Sequence, residues 1–214
     1  MLLKSAHVNL YKSVTDSGPV DFDRNVTCLV GKNESGKTAF LEAIYRLKPL
    51  AMGHTEAFDG LRDYPRRTYT RDRESVPSTT AIRATFTLET ADADAIEEVL
   101  GKGVLSSTDV VITKNYENEL LWTLPIDEAR LVENLVAKAG VDPGLTGGVG
   151  SVEELVEKLK GQIDPPPPVV AFLEEVAGRN HRQEVQEILA ERLPKFLYFD
   201  EYSIMPGRVS IQKL

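Results

Sequence analysis

Eight residues, Gly31-Lys32-Asn33-Glu34-Ser35-Gly36-Lys37-Thr38, constrain this chain more than any other stretch. They satisfy the pattern G-x-x-x-x-G-K-[ST] at each fixed position. Gly31 and Gly36 let the backbone turn tightly and approach an anion with no side chain in the way. The amide N–H groups of such a loop converge on phosphate oxygens. Lys37 carries a positive charge to the β- and γ-phosphates, and the Thr38 hydroxyl is suited to Mg²⁺. The helix that starts here adds the positive end of its dipole. The ligand implied is a nucleoside triphosphate with Mg²⁺.

The flanks fit the motif. Val26-Thr27-Cys28-Leu29-Val30 is apolar and β-branched, which predicts a buried core strand. Downstream, Phe40, Ile44 and Leu47 share one helical face over residues 39–47. Pro49 disfavours helix beyond Lys48. The candidate nucleotide-binding set is therefore Gly31, Lys32, Asn33, Glu34, Ser35, Gly36, Lys37, Thr38 and Ala39, with Lys37 also a catalytic candidate.

Composition narrows the rest. A chain of 214 residues with 42% hydrophobic and 27% charged residues suits one globular domain, or one and a half. No apolar run reaches membrane-spanning length, and the opening residues lack a signal-peptide layout. One cysteine, Cys28, excludes an intrachain disulfide and suits the cytoplasm; in the strand it reads as a small buried residue. His7, His54 and His181 are scattered and form no metal-ligand motif. The net charge of −8 argues against a broad nucleic-acid-coating surface but leaves room for a local basic patch.

In chain order, residues 2–9 predict a strand, Val20–Phe22 a short second strand and Asp23–Asn25 a turn. These suggest a small antiparallel flap beside a mainly parallel sheet. The segment HVNLYKSVTDSGPVDFDRNVTCLVGKNESGKTAFLEAIYRL resembles the N-terminal part of ABC-type ATPases of the RecF, SMC and OLD groups. These open with a strand, an aromatic-basic-Ser step, a second strand and a GxNxsGKT block. The strongest resemblance is to OLD-like AAA-family ATPases, including ATP-dependent endonucleases with a Toprim nuclease domain. Asn33 matches the Asn of that block. Glu34 stands where SMC and RecF proteins usually have Gly, so its side chain has to point away from the anion.

Residues 52–78 are polar and lack periodicity. Residues 62–74 hold five arginines, two tyrosines and three acids. Two readings stand: contact with nucleotide phosphate or a DNA backbone, or a solvated loop of local Arg–acid pairs. In the ATPases this chain resembles, the region abuts the nucleotide. Residues 80–88 alternate as a half-buried strand, and Ala91–Leu100 reads as a helix ended by Gly101. Val110–Lys114 and Leu120–Leu124 read as a hairpin, matching the β-lobe of ABC-type heads. Asp127–Ala139 predicts a helix, Gly140–Gly150 a linker, and Ser151-Val152-Glu153-Glu154 a capping box opening a helix to Lys160. Pro165–Pro168 reads as a stiff connector and Phe172–Leu193 as one long amphipathic helix.

Phe196-Leu197-Tyr198-Phe199-Asp200-Glu201 admits two readings. As a Walker B strand, Asp200 would hold Mg²⁺ and Glu201 would polarise the attacking water. As a structural strand end, it matches a block that the OLD-like family places well before its signature segment. No Ser-x-Gly or LSGGQ-like signature precedes it. The expected fold class is α/β, the N-terminal half of a P-loop ABC-ATPase head with an antiparallel β-lobe and a helical insertion. The expected division is 1–126 for the ATPase core with β-lobe, 127–193 for the helical insertion, and 194–214 for strands returning to the core. The resemblance covers only the first half of the family's head, implying a piece of a longer protein or one half of a split ATPase. It implies ATP and Mg²⁺ as cofactors and a homodimer or partner ATPase subunit joined through the head. It also implies DNA as the ligand of the complete protein, and a role in phage defence. A non-catalytic nucleotide-gated module and a small P-loop kinase or GTPase are the alternatives.

Overall fold

The computed structural model describes residues 1–50, 57–142, 144, 147–161, 164–176 and 179–199. Five strands form one antiparallel sheet in the order β2-β1-β3-β4-β5. They are β1 (Leu2–Tyr11), β2 (Val14–Asp21), β3 (Thr80–Thr87), β4 (Asp109–Asn115) and β5 (Leu120–Thr123). β1 and β2 are joined by the two-residue turn Lys12-Ser13, with Tyr11 opposite Val14 and Lys12 at φ 50°. The alternation seen in the sequence becomes cross-strand rows on one face. Ala6 pairs with Ala84 and Ala84 with Ile112; Val8 pairs with Ile82. All of these are buried. β-branched and small residues on the inner face of a pleated sheet bury well and pack against their cross-strand neighbours.

Helix α1 (Lys37–Tyr45) lies on that face through Ala39, Phe40, Ala43 and Ile44. Phe40 stacks on Phe22, with ring centroids 6.3 Å apart. Two short helices follow, α2 (Gly60–Asp63) and α3 (Arg66–Asp72). They fall where the sequence suggests irregular chain. Four and seven residues are too few for a visible apolar period. α2 is held by its cap instead: Asp59 accepts hydrogen bonds from the N–H groups of Leu61 (2.8 Å) and Arg62 (3.2 Å).

The remaining helices are α4 (Thr90–Leu100), α5 (Glu128–Ala139), α6 (Val152–Lys160), α7 (Pro167–Val176) and α8 (His181–Arg192). α4 packs on α5 and α8, while α5, α6 and α7 pack on one another. Their caps follow the sequence. Asp127 accepts from Arg130 N–H at 3.0 Å and Ser151 from Glu154 N–H at 3.2 Å. The Glu154 carboxylate reaches Gly150 N–H rather than that of Ser151, so the capping box closes one residue early. The prolines are not all connector, because Pro167 and Pro168 open α7. Proline is favoured at a helix start, where its missing N–H has no intrahelical partner. The single helix expected over 172–193 is two, because Asn180 caps α8 by accepting from Gln183 N–H at 3.1 Å. After α8 the chain returns to the end of α1. Phe196 forms a parallel bridge with Pro49, and Lys48 Nζ donates to the carbonyls of Ala190 (2.6 Å) and Leu193 (2.9 Å).

The expected core strand over 26–30 is absent from the ladder. Val26 is 73% exposed, Val30 91% exposed, and Cys28 is exposed rather than buried. A β-branched run becomes a strand only when its N–H and C=O groups find a neighbouring strand, and none pairs with it among the described residues. The sheet that is present is antiparallel throughout, so the mainly parallel sheet expected beside it is not seen among those residues.

Candidate functional site

The loop 31–38 wraps around its own lysine. Lys37 Nζ donates to the carbonyl oxygens of Gly31 (2.9 Å) and Lys32 (2.7 Å) and lies 3.3 Å from Ser35 Oγ. Three oxygens thus hold the ammonium before any anion arrives. Gly36, at φ 89°, is the N-cap of α1 and is buried against the β1–β2 turn. A Cβ there would lie 2.8 Å from Val14 Cγ2. Glu34 sits at φ 63°, a left-handed conformation that a glycine would adopt without strain. Lys32, Asn33, Glu34 and Ser35 are exposed around the loop, while the Ala39 side chain is buried under α1. Ala39 therefore has only its backbone N–H to offer, alongside those of Lys37 and Thr38 in the first helical turn.

An open cavity of about 550 Å³ lies over the loop, walled by Ser35, Gly36 and Lys37 and, across from them, by Ser13, Thr15 and Asp16. A neighbouring cavity of about 670 Å³ shares Ser13 and Thr15 as its rim. Its other wall carries Arg62, Tyr64, Arg66 and Arg67, with Lys12. Within the arginine-rich stretch the side chains differ in what they touch. Arg71 pairs locally with Asp72 at 2.7 Å, and Arg62 lies 3.7 Å from Asp59. Arg66 and Arg67 line the cavity and form no ion pair among the described residues. Lys12, Ser13 and Thr15 line these cavities without belonging to the G-x-x-x-x-G-K-[ST] pattern. Their signal was the aromatic-basic-Ser step Tyr11-Lys12-Ser13.

Behind this wall lies a buried aromatic and charged cluster. Arg46, at the C-cap of α1, pairs with Asp63 of α2. Its guanidinium lies over the rings of Tyr11 (5.3 Å) and Phe58 (5.6 Å). Burial raises the Tyr11 phenol well above its usual range, with Asp63 and Glu42 adding to the shift and Arg46 opposing it. Burial, helped by Arg46, holds the Lys114 ammonium below its usual range.

Mg²⁺ is the metal the motif implies. The exposed Thr38 hydroxyl at the start of α1 can supply one oxygen. Mg²⁺ keeps most of its shell as water and phosphate oxygen and needs only one or two protein ligands, so the residues present fit it. The described residues contain no cluster of three acidic, histidine or cysteine side chains that could hold a metal without a phosphate. Asp200 and Glu201 lie outside the described residues.

A glycine-framed loop that centres a lysine at the start of a helix, below an open cavity, marks the class of nucleotide-binding α/β proteins built on a phosphate loop. This chain belongs to the AAA ATPase domain family, whose model matches residues 1–163. A comparison with curated proteins gave no match. Among solved structures, one from work on ATP-driven dimerization and DNA-stimulated activation of SMC ATPases is similar at 15% identity and a TM-score of 0.35. That alignment covers 82% of this chain and 98% of the other. No helix among the described residues is long and apolar enough to cross a membrane.

Proposed function

We propose that this chain is the ATP-binding portion of an ABC-type ATPase head of the OLD-like, ATP-dependent endonuclease kind. The observation that carries the reading is the Lys37 ammonium, held by Gly31, Lys32 and Ser35 at the floor of an open cavity. The phosphates of ATP would replace part of that shell, taking the backbone N–H groups of residues 31–39 and the Lys37 charge. Thr38 would hold Mg²⁺. Arg66 and Arg67 would extend the positive wall toward the rest of the nucleotide.

The site is half of one. Val26 and Val30 stand exposed beside the loop, which favours further β-structure there, supplied by a partner head. In the complete assembly two heads would sandwich ATP, in a cytoplasmic protein whose hydrolysis gates DNA binding or cleavage. Asp200 and Glu201 are the candidates for metal holding and water activation in that assembly. The OLD-like assignment rests on the sequence resemblance through residues 7–47 and 194–211.

Calorimetric titration with ATP and Mg²⁺ tests this. The wild-type chain is expected to bind, and Lys37→Ala to bind at least tenfold more weakly, since a hydrogen bond to a charged group contributes about 1.5–3 kcal/mol. Turnover by the isolated chain should be low. Rapid turnover abolished by Lys37→Ala would overturn the half-site reading, and equal binding by both proteins would overturn the site.

A further inference from the structure

We infer that Arg46 and Asp63 are positioning residues that set the arginine-bearing segment 62–67 against the phosphate loop. The inference rests on the reading of the site proposed above. Arg46 and Asp63 face the aromatic cluster, away from the cavity, and their side chains are only 12% and 6% exposed. Neither has a direct route to a nucleotide. What they touch is the machinery on both sides of one.

Arg46 ends helix α1, the helix that begins at Lys37. It donates to Asp63 Oδ2 and to the carbonyl of Ala57 at 3.0 Å, and its own carbonyl accepts from Lys114 Nζ at 2.6 Å. Asp63 ends helix α2, directly beside Arg62 and three residues before Arg66. Its carboxylate also accepts from Asp59 N–H at 2.9 Å, tying the helix to its own cap. Its carbonyl accepts from the N–H of Lys12, the turn residue next to Ser13 on the shared rim. Lys12 Nζ in turn pairs with Glu42 on α1. One buried pair therefore joins the far end of the phosphate-loop helix, the β1–β2 turn and the segment that carries Arg62, Arg66 and Arg67. The aromatic rings of Tyr11 and Phe58 close over the guanidinium, so the pair cannot slide without opening the core. Both bonds leave one nitrogen, Nη1, of a planar cation whose N–H directions are fixed.

The test is a double-mutant cycle read by MgATP affinity, because residues that act through one another are non-additive. Four proteins are compared: wild type, Asp63→Asn, the double variant Arg66→Ala/Arg67→Ala, and the combination. Asp63→Asn is expected to weaken binding about tenfold in the wild-type background and less than twofold when both arginines are already alanine. A purely structural role would give the same factor in both backgrounds, and that result overturns the inference. Arg46→Lys serves as a second entry to the cycle should Asp63→Asn fold poorly. It keeps the charge over the rings and loses the planar geometry of the guanidinium, and it should show the same dependence on the arginines. Wild-type protein that takes up no MgATP sinks the functional reading together with the positioning role. Normal uptake with background-independent losses sinks the positioning role alone.

Discussion

Gly36→Ala is the sharpest test of the loop's geometry, because two separate penalties meet at that residue. Its φ of 89° is a left-handed conformation, which costs an L-residue about 1–2 kcal/mol. Its new Cβ would lie 2.8 Å from Val14 Cγ2, and Val14 is buried at the head of β2. Forcing a methyl group into a packed site costs about 1–3 kcal/mol. The stiffer unfolded chain returns about 0.4–1 kcal/mol. The net loss is roughly 1–5 kcal/mol, which for a chain of this length lowers Tm by roughly 2–20 °C.

Two other glycines separate the terms. Gly18 has φ 61° and open space where a Cβ would go, so Gly18→Ala meets only the backbone penalty and should lose about 1 kcal/mol or less. Gly147 has neither a positive φ nor a neighbour within 4 Å, so Gly147→Ala should be neutral or slightly stabilising. Thermal melts of the three variants should rank Gly147→Ala, then Gly18→Ala, then Gly36→Ala in rising cost. Gly36→Ala alone should also weaken MgATP binding at least tenfold, since the loop can keep the alanine only by turning its N–H groups away from the anion. A Gly36→Ala protein as stable as Gly147→Ala, with wild-type affinity, would refute the reasoning.

Two further outcomes follow from the structure. His181, at the start of α8, is buried, and its Nε2 has no hydrogen-bond partner among the described residues. Burial holds its pKa below the ordinary 6.5, with Arg179 adding to the shift and Glu184, Glu128 and Glu153 opposing it. The unfolded chain therefore takes up this proton first, so stability is full above pH 6.5 and falls as the pH drops from 6.5 toward the lower folded value. His181→Leu should flatten that part of the urea-midpoint profile, and an unchanged slope would contradict it. Cys28, exposed beside the loop, should react with a maleimide about as fast in the native protein as in urea. Slow native labelling would restore the buried strand.

The phosphate loop was readable residue by residue, because its chemistry is local: two glycines, a lysine and a threonine at fixed spacing. The same holds for β3, the β4–β5 hairpin, α4 and α5, whose periods and caps lie within a few residues of one another. Glu34, at a place where related proteins usually have Gly, takes a left-handed conformation that the sequence alone does not specify.

What the local pattern left open was each feature that depends on a distant neighbour. The run 26–30 has strand propensity, but propensity makes no ladder, and no described strand pairs with it. The stretch 172–193 reads as one helix because Glu and Arg run through it, but no apolar residue falls between Ala177 and Val185, and Asn180 caps α8 there. The arginine-rich stretch carried two readings that composition could not separate. Tertiary packing shows which of its arginines pair locally and which line a cavity. The Arg46–Asp63 pair joins residues 17 apart, and Lys12 meets Asp63 through the backbone. These contacts bring Arg66 and Arg67 to a cavity that shares its rim with the one over the phosphate loop. Sequence order carries the ligand class, and the packing of α1, α2 and the β1–β2 turn decides which other side chains share the site.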